Sequence, residues 1–135
     1  MADVFLLGRI LFGGFFTVSG VNHFLATDAM TQYVASKNVP MPEVAVLLTG
    51  ALLIVGGVSI IMGMLPQIGI SCIALFLIGV TPIMHNFWDF GDPAQRTNEM
   101  GNFLKNIALL GTCLMLYAMP QPWPRSVDQR RRVYV

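Results

Sequence analysis

Residues 44–87 read VAVLLTGALLIVGGVSIIMGMLPQIGISCIALFLIGVTPIMHNF, two apolar runs separated by little more than Leu65 and Pro66. Each run is close to the roughly 20 residues that cross a bilayer as a helix at about 1.5 Å rise per residue. So short a link permits only a tight hairpin, which makes the two helices antiparallel neighbours. Further apolar runs flank the pair, from Val4 to Leu25 and from Phe103 to Met119. Four spans and their connections use up the 135 residues and leave room for one domain. The expected fold is an all-α membrane protein, an up-and-down bundle of four transmembrane helices within residues 1–119. The helices fall at about 4–25, 44–64, 67–87 and 93–119, and residues 120–135 form a basic cytoplasmic tail.

Composition agrees with lipid as the solvent. With 55% hydrophobic and 11% charged residues, the chain has too few charges to cover a soluble globule. The basic cluster Arg130, Arg131 and Arg132 is short and terminal, so it points to lipid headgroups and not to nucleic acid. Cys72 and Cys113 lie inside apolar runs, in no Cys-x-x-Cys spacing, and read as packing residues. The run from Val4 exceeds a signal-peptide core, carries Arg9 and lacks an Ala-x-Ala site, so it reads as a retained first helix.

The two longer connections lie on one side. In the first, Asp28 can cap a short helix whose Met30, Tyr33 and Val34 share a face, ending at Asn38 and Pro40; it is read as an interfacial helix. In the second, Asp92, Pro93 and Gln95 have the form of an N-cap, a first-turn proline and a capping-box partner. The fourth helix then begins near Pro93 and reaches Met119, about 40 Å in all. Arg9 and the tail arginines lie on one side, and Lys37, Arg96 and Lys105 on the other. That bias places both termini in the cytoplasm and the chain in the cytoplasmic (inner) membrane. Phe87, Trp88 and Phe90 fit an outer aromatic belt, Tyr117 and Trp123 an inner one.

Polar residues then narrow the search for function. Arg9, Gly13, Phe16, Gly20 and His23 form one stripe of the first helix, and Gly50 and Gly57 lie a heptad apart on the second. Packing explains these glycines. Arg9 lies inside the span, where it can snorkel, pair with a carbonyl, or bind an anionic ligand or lipid. At the outer rim His23 ends the first helix and His85 the third, while Asp89, Glu99, Asn102, Lys105 and Asn106 gather nearby. Pro82, one residue after Thr81, removes a backbone donor and is expected to kink the third helix near Ile78. Histidines beside carboxylates suit proton acceptance from a quinol, with His85 and His23 as acceptors and Glu99 or Asp89 as orienter. The same residue types could ligate Zn, Fe or Cu, but no metal-ligand spacing occurs and no metal is assigned. The bland alternative is that they bond helix ends and water.

GRILFGGFFTVSG at 8–20, LLTGALLIVGGVSIIMG at 47–63, HNFWDF at 85–90 and NFLKNIALLG at 102–111 together resemble the DoxX family of small four-helix membrane proteins. The resemblance runs over nearly the whole chain, except that Asn22 and His23 stand where such proteins often have a lysine. It implies a four-helix bundle associated with membrane redox chemistry, in some members as a subunit of a thiosulfate:quinone oxidoreductase or a partner of antioxidant proteins. By motif match Arg9, His85, Trp88, Lys105 and Asn106 are conspicuous, and Trp88, Asn106, Lys105 and Arg9 become candidates to hold a cofactor such as a quinone. The expected function is a small accessory or anchor subunit of a membrane redox assembly, with lipids and other subunits as partners. The alternatives are a quinone-reactive oxidoreductase subunit with its site at the outer rim, and a small-solute or lipid transporter built around the Pro82 kink.

Overall fold

The structure, a computed structural model, describes residues 1–133, which are all helix, turn and loop with no strand. Helix α1 covers Ala2–Leu25, α2 Thr27–Ser36, α3 Pro42–Met62, α4 Pro66–Met84, α5 Pro93–Tyr117 and α6 Val127–Val133, with a 3-10 turn at Phe87–Asp89 after α4. Three segments are long and apolar enough to cross a membrane: Ala2–Leu25, Pro42–Met62, and Pro66–Asp89, which includes the 3-10 turn. Helix α5 has the length, at 25 residues, but its first turns are polar and Asn102, Lys105 and Asn106 interrupt the rest. It therefore falls below the apolarity of the other three.

The long helices run antiparallel in sequence, α1 on α3, α3 on α4 and α4 on α5. Their shared core contains Phe16 of α1, Leu53 and Ile60 of α3, Ile70, Ile73 and Leu77 of α4, Cys113 of α5, and Trp123 from beyond α5. Many large apolar side chains, among them Leu7, Leu11, Val18, Leu75 and Met115, are nevertheless exposed. An apolar exterior around an apolar core is expected where the surroundings are hydrocarbon.

The α1–α3 seam is built from glycine. A Cβ on Gly13 would lie 2.6 Å from the Gly57 carbonyl oxygen, and one on Gly20 would lie 2.7 Å from that of Gly50. The seven-residue spacing on α1 thus faces the seven-residue spacing on α3, with backbone against backbone. The buried residues of α1 are Arg9, Gly13, Phe16 and Gly20, the stripe read from the sequence. Gly56 makes the same approach to Gly69 of α4, at 2.8 Å from its carbonyl.

The α3–α4 turn needs only Gly63, Met64 and Leu65. Gly63 closes α3 in the left-handed region, φ 62°, and its N–H donates to the Ile60 carbonyl while Met64 N–H donates to that of Ser59. Leu65, also left-handed at φ 48°, precedes Pro66 at the first position of α4. At the other end Asp92 caps α5, its Oδ2 accepting the Gln95 N–H at 2.9 Å. Asp28 does not cap α2 as expected. It lies within the first turn, and Thr27 Oγ1 donates back to the His23 carbonyl, so the chain passes from α1 to α2 almost without a break.

Candidate functional site

The polar residues fall into two groups at opposite ends of the bundle. At one end α4 terminates at His85, whose N–H donates to the Thr81 carbonyl. The His85 Nδ1 lies 2.7 Å from Glu99 Oε2, and both side chains are mostly buried. A carboxylate only accepts, so Nδ1 carries the proton and Nε2 of the neutral ring is left as a base. Glu99 lies two turns after the Asp92 cap that starts α5, and the packing of α5 on α4 turns it toward His85.

Beside Glu99 is a cavity of about 430 Å³, lined by Tyr33 and Ser36 from α2, by Lys37 just after it, and by Phe90, Gln95 and Asn98. Lys37 Nζ donates to Asn86 Oδ1 at 2.7 Å and lies 5.0 Å from the centre of the Phe90 ring. Asn86 in turn donates to Asp89 Oδ2 at 2.6 Å. Burial, and then the negative charge of Glu99, hold the Tyr33 hydroxyl above its ordinary pKa. It therefore keeps its proton at neutral pH and serves as a hydrogen-bond donor, pointing at the Met84 carbonyl.

The other expected residues distribute as follows. His23 Nδ1 donates to the Ser19 carbonyl one turn back at 2.8 Å, and its ring meets Phe76 edge-on. It belongs to the α1–α3–α4 packing, and the structure gives it no bond to His85 or Glu99. Among the described residues, no third His, Cys, Asp or Glu joins the His85–Glu99 pair. Trp88 is half-exposed, and Phe87, Trp88 and Phe103 form an edge-to-face cluster. Lys105 Nζ donates to Asn102 Oδ1 at the surface, while Asn106 is buried.

Arg9 is at the far end, 1% exposed. Its Nε donates to the Ile60 carbonyl at 3.0 Å, Nη2 to that of Ile61 at 2.6 Å, and Nη1 to that of Pro124 at 2.9 Å. Of the readings open for Arg9, the geometry is the carbonyl pairing. Its guanidinium fills the end of α3, where the dipole is negative and the Ile61 carbonyl is past the last helical donor, while that of Ile60 also takes the Gly63 N–H. Trp123 covers it at 5.6 Å, itself 1% exposed, so this ring is a core residue and not part of an interfacial belt. The described residues beyond α5 fold under the helix ends, with Trp123 against Arg9 and Asp128 accepting the Leu65 N–H.

Tyr33, Lys37 and Phe90 are legible in the sequence only as a helix face, a charge and an aromatic. Nothing in the local pattern says that the first and second long connections meet, so their convergence around Glu99 emerges only in the folded chain.

A helical chain with three membrane-crossing segments, lipid-type outer faces and its polar groups gathered at the helix ends is an integral membrane protein. It belongs to the DoxX family, which matches over residues 4–86. Inner membrane protein YphA of Escherichia coli (strain K12) is 29% identical over 125 residues, covering 93% of this chain and 88% of that protein. No solved structure gives a significant match.

Proposed function

We propose that this protein is a small subunit of a redox assembly in the inner membrane, and that it contributes the cavity beside Glu99 as a site for a quinol headgroup. The observation that carries this reading is the 2.7 Å contact of His85 Nδ1 with Glu99 Oε2 next to a cavity with aromatic and donor side chains. In this arrangement α5 is a fourth span, α2 lies at the outer interface, and both termini are cytoplasmic. The core contacts of Cys113, Leu109 and Leu110 support placing α5 at the depth of α4.

The cavity suits such a headgroup in its chemistry: Phe90 and Tyr33 offer ring faces, and Lys37, Gln95 and Asn98 offer donors to ring oxygens. A quinol oxidised there would supply two protons and two electrons: a redox centre in another subunit would accept the electrons, the His85–Glu99 pair, of which Glu99 lines the cavity, would take one proton with Glu99 holding the ring through Nδ1, and water would take the second. Lys37, bonded to Asn86, keeps the α2 side of the cavity in place. DoxX membership and the relation to an inner membrane protein support the location.

The test is purification from native membrane with mass spectrometry of bound quinones and co-purifying subunits. The expected result is quinone held by the assembly, lost on His85→Ala and on Glu99→Gln while the fold persists. Quinone retention unaffected by both substitutions would refute the site.

A further inference from the structure

The C-terminal segment closes the end of the bundle opposite the His85–Glu99 pair, and the way it is held leaves two guanidinium groups unspent. Helix α6 is pinned from several sides. Asp128 Oδ2 accepts the Leu65 N–H in the α3–α4 turn at 2.9 Å. Ser126 Oγ accepts the Gln129 N–H at 3.0 Å and so caps α6, while the Pro124 carbonyl is tied to Arg9. Arg125 pairs with Asp3 at the start of α1. Among the described residues, these contacts commit the carboxylates of this end, Asp3 and Asp128.

Arg130 and Arg131 remain. Both are exposed, and among the described residues neither has a carboxylate partner; the one side-chain contact of Arg131 is to Met64 Sδ at 3.8 Å. Helix α6 abuts the turn between two segments long and apolar enough to cross a membrane, which puts these guanidiniums level with the ends of those segments, where a bilayer around them would present its headgroups. The acceptors at that boundary are lipid phosphates, whose oxygens match the guanidinium fork.

We propose that Arg130 and Arg131 form a binding site for the phosphate groups of anionic lipid in the leaflet adjoining α6. The fixed helix matters to this assignment. A trailing tail would lose its freedom on each encounter with a headgroup, whereas here that ordering is completed by folding. Each arginine adds about fivefold in affinity, and the two together about 30-fold, from the surface attraction typical of one basic side chain. This site is independent of the outer cavity.

The experiment uses the full chain in detergent, with native mass spectrometry against phosphatidylglycerol and phosphatidylcholine of identical acyl chains. Phosphatidylglycerol is expected to be retained preferentially. Affinity should fall about fivefold in Arg130→Gln or Arg131→Gln, about 30-fold in the double variant, and not at all in Arg96→Gln at the other end. Equal retention of the two lipids, or a double variant that binds as the parent does, would overturn the proposal. Full displacement by glycerol phosphate at matched concentration would also overturn it, because the ligand would then be the free anion. Should the double variant fail to fold, the parent protein decides: phosphatidylglycerol retention must weaken as salt is raised, and indifference to salt counts against the site.

Discussion

Replacing Gly57 by alanine tests the glycine seam directly. The added methyl would meet the Thr17 hydroxyl and the Gly13 carbonyl, and it would lie 2.8 Å from the Thr17 backbone nitrogen. Two of these three obstacles are backbone atoms of α1, so no rotamer change relieves them, and the helices must separate along the seam. Overpacking of a tight interior costs about 1–3 kcal/mol. The rigid obstacles place Gly57→Ala at the upper end, about 3 kcal/mol or roughly a 150-fold loss in the ratio of folded to unfolded protein. Gly14 supplies the control, since a Cβ there meets nothing within 4 Å. Gly14→Ala should gain about 0.5–1 kcal/mol from helix propensity. The assay, in a Cys72→Ser background that removes the partly accessible second thiol, is thermal unfolding in detergent followed by the reaction of a thiol dye with Cys113, which is 0% exposed until the core opens. Gly57→Ala should react at a clearly lower temperature than the parent, and Gly14→Ala at the same or a higher one. If the two variants unfold together, α1 and α3 do not approach as described.

Three other outcomes are expected. Trp123→Ala should cost about 3–5 kcal/mol by removing a buried ring, whereas Trp123→Phe should cost far less because the indole Nε1 has no partner among the described residues; the same thiol assay compares them. Arg9→Met should destabilise by a few kcal/mol, since the Ile61 and Pro124 carbonyls lose their donor while Ile60 keeps the Gly63 N–H; a variant as stable as the parent would contradict the clamp. Glu99→Gln should move the Tyr33 titration, read by phenolate absorbance, to lower pH without reaching the ordinary value, because burial is the larger cause of the shift. As the folded Tyr33 binds its proton more tightly than the unfolded chain does, its contribution to stability is complete below pH about 10 and is lost as pH rises through the folded pKa.

The apolar periodicity makes the interior of α1 readable. Arg9, Gly13, Phe16 and Gly20 repeat at helical spacing, and the residues between them are mostly apolar, with the Thr17 hydroxyl satisfied by the Gly13 carbonyl one turn back. Turn chemistry makes the α3–α4 hairpin and the start of α5 readable, because Gly63, Pro66 and the Asp92–Pro93 pair act on their own backbone. The pairing of His85 with Glu99 shows in the sequence only as a gathering at one rim, since sequence gives the helix ends but not their rotation about one another. Lys37 and Tyr33 reach the same cavity through a contact between two connections 49 residues apart, as in the Lys37–Asn86 bond, and no local signal reports that distance. Trp123 reads as interfacial because it follows a polar break after α5, and only the buried guanidinium of Arg9 explains why the ring turns inward.

Arg9 also sets a condition on the order in which the chain can mature. Its three acceptors lie 51, 52 and 115 residues further along, at Ile60, Ile61 and Pro124. During synthesis α1 therefore enters the bilayer with a cation whose partners do not yet exist. It gains two of them when the α3–α4 turn emerges and the last only when the segment beyond α5 has left the ribosome. Until then α1 is a span whose buried cation lacks its carbonyl acceptors, so its place in the bilayer is least favourable at the start of synthesis and is completed only when the segment carrying Pro124 folds against it.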